Sequence, residues 1–226
     1  MKDNSLNRLG GICSILVGVS FIVAAAVYFL LPAEQQEACR CPEKFLVSMA
    51  QNPTMHIVSY LVLALGALLG IAAVLAISDN VRSVNEGWVR WTSTLAIIGL
   101  ALQAVDQLRL LALNPARAAA YVTGDAAVKA ALTVPGATEY LDQQAWLRFG
   151  AVGLWVLIVS VLALHGGVWP KLLAYLGIAL AIAYWLVVAA EVIQTQLLIA
   201  ILAGIGGVII LPIWYIWLGV RLIRAD

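Results

Sequence analysis

Charged residues are what this sequence has least of. They make up 11% of the 226 residues, 13 Lys and Arg against 12 Asp and Glu. A soluble domain carries about 25%, so this chain cannot dress a water-facing surface. The net charge of +1 rules out a basic field for nucleic acid. There are only two His and three Cys, and no Ser-His-Asp arrangement, Gly-rich phosphate loop or His-Glu-x-x-His motif is present. Low-complexity tracts are also absent. What the chain has is apolar: 63% hydrophobic residues and a mean hydropathy of +0.98. That composition predicts an all-α, polytopic membrane bundle, with residues 1–226 forming a single transmembrane domain.

Six apolar runs predict six spans. Leu9 to Leu31 reaches roughly 34 Å as a helix, enough for a ~30 Å hydrocarbon core. A signal peptide is the rival reading, because Ala24-Ala25-Ala26 imitates a cleavage site. The run exceeds a signal sequence's apolar stretch of about 7–15 residues, so a retained helix is expected. Pro32 ends it. The further spans are expected at about 54–77, 91–113, 145–164, 171–192 and 197–223. Pro53 suits the first turn of the second span, and Gly66-Ala-Leu-Leu-Gly70 lets a neighbour approach it closely. Residues 32–53 and 114–144 are expected as the long loops. Pro115 to Thr133 is Ala-rich with spaced charges and suits an amphipathic interfacial helix, with a break at Pro135-Gly136. Pro212 should kink the last span or loosen one backbone bond. Arg8, Arg90 and Lys171 each begin an odd-numbered span, with Gly18, Gly99 and Gly177 following at unequal spacings. Basic starts follow from topology alone, so no repeat is assigned.

Lys and Arg near the span ends set the orientation. With the N-terminus inside, the inner segments hold Lys2, Arg8, Arg82, Arg90, Lys171, Arg221 and Arg224. The outer segments hold Arg40, Lys44, Arg117, Lys129 and Arg148 over much longer loops. Both termini are therefore expected to be cytoplasmic, with both long loops outside.

One stretch breaks the apolar pattern: Gly99-Leu-Ala-Leu-Gln103-Ala-Val-Asp106-Gln107-Leu-Arg109. Gly99, Gln103, Asp106 and Gln107 share a helix face, and Arg109 can pair with Asp106 from one turn away. An intramembrane ionisable group is expensive and points to a site. The topology puts further polar groups at the same outer level: His56, Arg148, Glu191 and Gln194. Tyr184 and Trp185 are the aromatic residues best placed to line a pocket there, packing being the alternative. The expected ligand-binding set is therefore His56, Gln103, Asp106, Gln107, Arg109, Arg148, Tyr184, Glu191 and Gln194, beneath a lid formed by 114–144. A buried salt-bridge network tying four helices together, with Arg109 and Arg148 snorkelling to headgroups, explains the same residues without a ligand. The inner half offers almost nothing comparable, which argues against a full translocation path.

The remaining reactive side chains say less. His56 and His165 fall near opposite faces, so one haem cannot take both, and no metal site or cofactor is expected. Cys39-Arg-Cys41 lies outside by this topology, in an oxidising compartment. A strained local disulfide, a bond to another chain, free thiols and a redox role all fit, though the Cys-x-x-Cys spacing is absent. Trp88, Trp91, Trp169, Trp214 and Trp217 near one surface, and Tyr60, Tyr121, Tyr140 and Trp146 near the other, suggest interfacial belts.

Two terminal stretches carry a resemblance. Arg8-Leu-Gly-Gly-Ile-Cys-Ser-Ile-Leu resembles the Arg-Leu-x-Gly first helix of an uncharacterised family of small bacterial multi-pass membrane proteins. Leu211-Pro212-Ile-Trp214-Tyr-Ile-Trp217-Leu-Gly219-Val-Arg221 resembles its Pro-x-Trp final helix. The resemblance implies a six-helix bundle in the bacterial inner membrane and no catalytic residues. Three functions fit the sequence. The first is a binding or accessory protein for a lipid, a small amphiphile or a partner subunit, surrounded by the lipid bilayer either alone or as a homo-oligomer. The second is a small proton-coupled transporter, and the third an intramembrane enzyme acting on lipid or quinone.

Overall fold

The computed structural model describes residues 5–36, 41–134 and 140–224. Six of its helical stretches are long and apolar enough to cross a membrane. Helix α1 is Ser5–Leu30, α3 is Thr54–Val81 and α4 is Glu86–Thr123. A π turn, Trp146–Ala151, opens α6, Val152–His165, and α7 is Lys171–Val192. The last span joins α8, Gln196–Ala203, a π stretch, Gly204–Ile210, and α9, Leu211–Arg224. Two shorter helices lie between spans: α2, Pro42–Gln51, and α5, Ala126–Leu132.

Successive spans are neighbours in space, and the last returns to the first. Helix α1 packs on α3, α3 on α4, α4 on α6, α6 on α7, α7 on the α8–α9 span, and α9 on α1. In a bilayer this association rests on close packing rather than on burial from water. Small residues make it possible. A Cβ on Gly10 would come within 2.1 Å of the Ala76 Cβ, and one on Gly219 within 2.5 Å of the Gly11 carbonyl oxygen.

The bundle has two unlike ends. The end holding the start of α3 and the finish of α4 is covered by α2 and α5 and is here called the cap end. Leu46 and Met49 of α2 bury against Ala118 of α4, flanked by Phe45, Tyr121 and Leu132. Arg117 fastens the far side, donating to the Leu132 carbonyl at 2.6 Å. The opposite end is closed by short turns. There the Asn85 side chain caps α4 by accepting from the Trp88 N–H at 3.3 Å, and Glu86 bridges Arg82 and Arg90.

Two expectations about elements change. The loop over 32–53 contains α2. The third span does not stop at Leu113, since α4 runs through Pro115 to Thr123. Proline removes one ladder hydrogen bond, but packing of Asn114 and Ala118 against α3 and α2 holds the helix on course. Pro212 acts as expected in kind: ahead of it the ladder widens, and the Leu211 N–H reaches back to the Gly206 carbonyl. A π stretch of this kind absorbs the hydrogen bond that proline cannot make. The break expected at Pro135-Gly136 lies outside the described residues.

The tryptophans also divide differently from the belt reading. Trp88, Trp91 and Trp146 are exposed, as belt residues should be, whereas Trp169 and Trp214 are buried in the core with Trp155. Trp214 packs edge-on against Trp155, Trp169 and Tyr215. The core there is also threaded with hydroxyls. The Trp155 indole N–H donates to Ser78 Oγ at 2.9 Å, and Ser93 Oγ donates to the same oxygen at 2.7 Å. The half of the bundle that looked featureless therefore carries a neutral polar network.

Candidate functional site

Asp106 is the organiser of the cap end. It lies on the buried face of α4 and is 1% exposed. Both carboxylate oxygens accept from the Leu141 backbone N–H at 3.1 Å, and Arg109 lies 3.4 Å away. A buried carboxylate left alone would be costly. Here it is satisfied by one backbone donor and one cation, and it holds the 140–145 strand of chain against α4.

That strand in turn places Arg148. Ala145 takes a left-handed φ of 60°, which turns the chain into the π turn. Asp142 caps the turn by accepting from the N–H groups of Trp146, Leu147 and Arg148 at 2.7 to 2.9 Å. Against α4, Gly99 supplies the clearance: a Cβ there would sit 2.2 Å from the Leu147 carbonyl oxygen. The Arg148 guanidinium lies over the Tyr140 ring at 3.8 Å and near the Phe149 ring at 5.5 Å. Among the described residues no carboxylate pairs with it, and its buried Nε has no hydrogen-bond partner. Aromatic faces attract a cation, but they leave its N–H donors unused.

A second polar group forms around the start of α3. His56 is 8% exposed and Asn114 3%. Asn114 Nδ2 donates to Tyr60 Oη at 2.7 Å. The His56 ring meets Tyr60 edge-to-face at 4.3 Å and Phe45 of α2 at 5.3 Å. Among the described residues no hydrogen bond or ion pair joins this group to Asp106, so the set expected as one pocket is held in two groups.

The other expected residues are scattered around these. Gln107 is buried beside Asp106, and its Oε1 lacks a hydrogen-bond partner among the described residues. Gln103 is half-buried one turn below. Tyr184 is buried edge-on against Phe149, next to the π turn. Glu191 is half-buried in the last turn of α7, and Gln194 is exposed at a left-handed φ of 54° beyond it. Cys41 stands just before α2, while Cys39 lies outside the described residues, so the disulfide or redox reading of that pair does too. Tyr140, Leu141 and the pairing of Asn114 with Tyr60 were not anticipated. Asn114 had a signal: it lies seven residues after Gln107, on the same face of a continuing helix.

A model of a domain of unknown function, DUF4386, matches residues 16–224. The chain belongs to the DUF4386 family. No curated protein and no solved structure matches it. The family match begins within α1, covers the other five long apolar helices and includes both polar groups, so the cap-end arrangement falls within the DUF4386 region. A multi-pass protein of this family contacts lipid along the outer faces of its spans, where Leu9, Leu16, Leu65, Ile98 and Ile182 stand exposed.

Proposed function

We propose that this DUF4386 protein is a non-enzymatic binding or accessory component of the bacterial plasma membrane, and that it takes the anionic headgroup of an amphiphile at its cap end. Arg148 carries the reading. It is a half-buried guanidinium with aromatic rings beside it and no carboxylate partner among the described residues. Asp106 is already committed to Arg109 and the Leu141 N–H, so it is not available to neutralise Arg148. A phosphate or carboxylate beside Arg148 would supply the acceptors its N–H fork lacks, with bidentate geometry that Lys could not reproduce. In this reading Asp106 is a positioning residue: it fixes the strand that presents Tyr140. With the cap end outside, the side the Lys and Arg distribution favours, the headgroup would come from the outer leaflet or from a partner's anionic segment.

The test is native mass spectrometry of the full chain in maltoside micelles, titrated with equimolar phosphatidylglycerol and phosphatidylcholine. Wild type is expected to retain phosphatidylglycerol at least ten times better, and Arg148→Met to erase that preference while eluting as a monodisperse species. Equal retention of both lipids by wild type overturns the proposal. A preference unchanged in Arg148→Met does so as well.

A further inference from the structure

The second polar group raises a separate question, because its unmet hydrogen bonds involve no fixed charge. His56 and Asn114 are both more than nine-tenths buried. Yet His56 Nδ1, His56 Nε2 and Asn114 Oδ1 have no hydrogen-bond partner among the described residues. Both side chains touch the same tyrosine: Asn114 Nδ2 donates to Tyr60 Oη at 2.7 Å, and the imidazole centroid lies 4.3 Å from that of the Tyr60 ring. Buried polar atoms of native proteins are nearly always satisfied, by protein or by an ordered guest. Orphaned atoms on two side chains that share Tyr60, beside the Phe45 side chain of α2, call for a guest that bridges one imidazole nitrogen and the Asn114 carbonyl.

The unmet atoms define its chemistry. A neutral imidazole has one N–H donor and one lone-pair acceptor, and the Asn114 carbonyl oxygen is an acceptor only. The guest must therefore both donate and accept. A carbonyl only accepts, an ammonium only donates, and a phosphate would bring a charge that His56 and Asn114 have no fixed cation to meet. A hydroxyl does both: its oxygen accepts from the imidazole N–H and its one proton goes to Asn114 Oδ1. We infer that His56, Asn114 and Tyr60 form a binding site for a neutral hydroxyl group, supplied either by water or by an alcohol on an amphiphile's headgroup. The level suits either source: His56 is in the first turn of α3 at the cap end, and Asn114 is one turn before Ala118, which packs against Leu46 and Met49 of α2. The inference does not depend on Arg148 and stands if the anionic-headgroup reading fails.

X-ray hydroxyl-radical labelling oxidises side chains that lie beside bound water and is read residue by residue by mass spectrometry. The full chain is placed in phosphatidylcholine nanodiscs doped with either phosphatidylglycerol or phosphatidic acid. Both dopants are anionic, but only the first carries alcohol hydroxyls. Rates are normalised to intrinsic side-chain reactivity, with the fully buried Trp155, whose N–H is met by Ser78, as the dry reference. If water fills the site, His56 is oxidised at least five times faster than the reference in both lipids. If a headgroup alcohol fills it, that rate holds with phosphatidic acid and falls at least twofold with phosphatidylglycerol. Asn114→Leu and Tyr60→Phe, which remove one acceptor and the phenol oxygen that holds it, are each expected to bring His56 to the reference rate. His56 at the reference rate in both lipids overturns the inference, and so does labelling that neither variant changes.

Discussion

Gly99→Ala is the sharpest perturbation the packing offers. The added Cβ would stand 2.2 Å from the Leu147 carbonyl oxygen and 3.0 Å from its carbon, whereas ordinary contact begins at 3.4 Å, so α4 and the π turn must part by 1.2 Å. The opposing atoms are backbone, and no side-chain rotation relieves them. Overpacking of this kind costs about 1–3 kcal/mol, while replacing a helical glycine with alanine returns about 0.5–1 kcal/mol through backbone entropy. With backbone atoms on both sides the upper part of that cost applies, about 2–3 kcal/mol, and a net loss of about 1–2.5 kcal/mol follows. The displacement also pulls Arg148 away from Tyr140, so the variant should lose lipid preference along with stability. Gly204 and Gly207 are the internal controls, because a Cβ at either meets nothing within 4 Å. Their alanine variants should be neutral or more stable by up to about 1 kcal/mol. Equilibrium unfolding in mixed dodecyl sulfate and maltoside micelles measures all three. If Gly99→Ala lies within about 0.5 kcal/mol of wild type, the typical scatter of a surface change, or no lower than Gly204→Ala, the close approach of α4 to the π turn is wrong.

Other outcomes follow from named contacts. Asp106→Ala strands the Leu141 N–H and removes the Asp106 carboxylate from Arg109, and should cost about 2–4 kcal/mol, below the full buried-pair value because Arg109 is partly exposed; Asp106→Asn, which keeps an acceptor, should recover at least half of that in the same unfolding assay. Ser78→Ala leaves the Trp155 indole N–H without its acceptor, while Ser93 keeps the Val89 carbonyl; it should cost about 1–3 kcal/mol and alter Trp155 fluorescence without changing lipid retention. Arg117→Met removes the donor to the Leu132 carbonyl and should quicken proteolysis within α5 while leaving the midpoint of global unfolding within about 0.5 kcal/mol.

The spans were readable because lipid demands about 20 apolar residues in a row, and hydropathy sees that directly. The rotation of each helix was not readable. In a soluble bundle a polar face marks the outside, but here Leu65 faces lipid and Val74 faces the core, and composition does not separate them. That is why Trp169 and Trp214 passed for belt residues. The polar face of α4 was legible from Gly99 to Asp106 because polarity is rare enough there to stand out. It was cut short at Leu113 because Asn114-Pro115 has the local character of a helix stop, and tertiary packing overrode that character. Asn114 was lost with the rest of the helix. Leu141 and Tyr140 act through a backbone N–H and a ring face set by a left-handed turn at Ala145, a conformation with no signature in an alanine.

The length of α4 has a consequence for how the molecule meets its surroundings. At 38 residues it measures roughly 57 Å, nearly twice a ~30 Å hydrocarbon layer. With Trp88 and Trp91 exposed at its foot, about a third of the rod stands clear of the lipid, braced by α2. The cap end is thus the taller end of the molecule, since α4 is too long to lie wholly within the hydrocarbon layer. Anything sliding along the tall face collides with a rigid mast rather than a soft loop. A label at Thr123, the mast's tip, reports sidedness unambiguously: an impermeant maleimide reaches Thr123→Cys from one side of a sealed vesicle only.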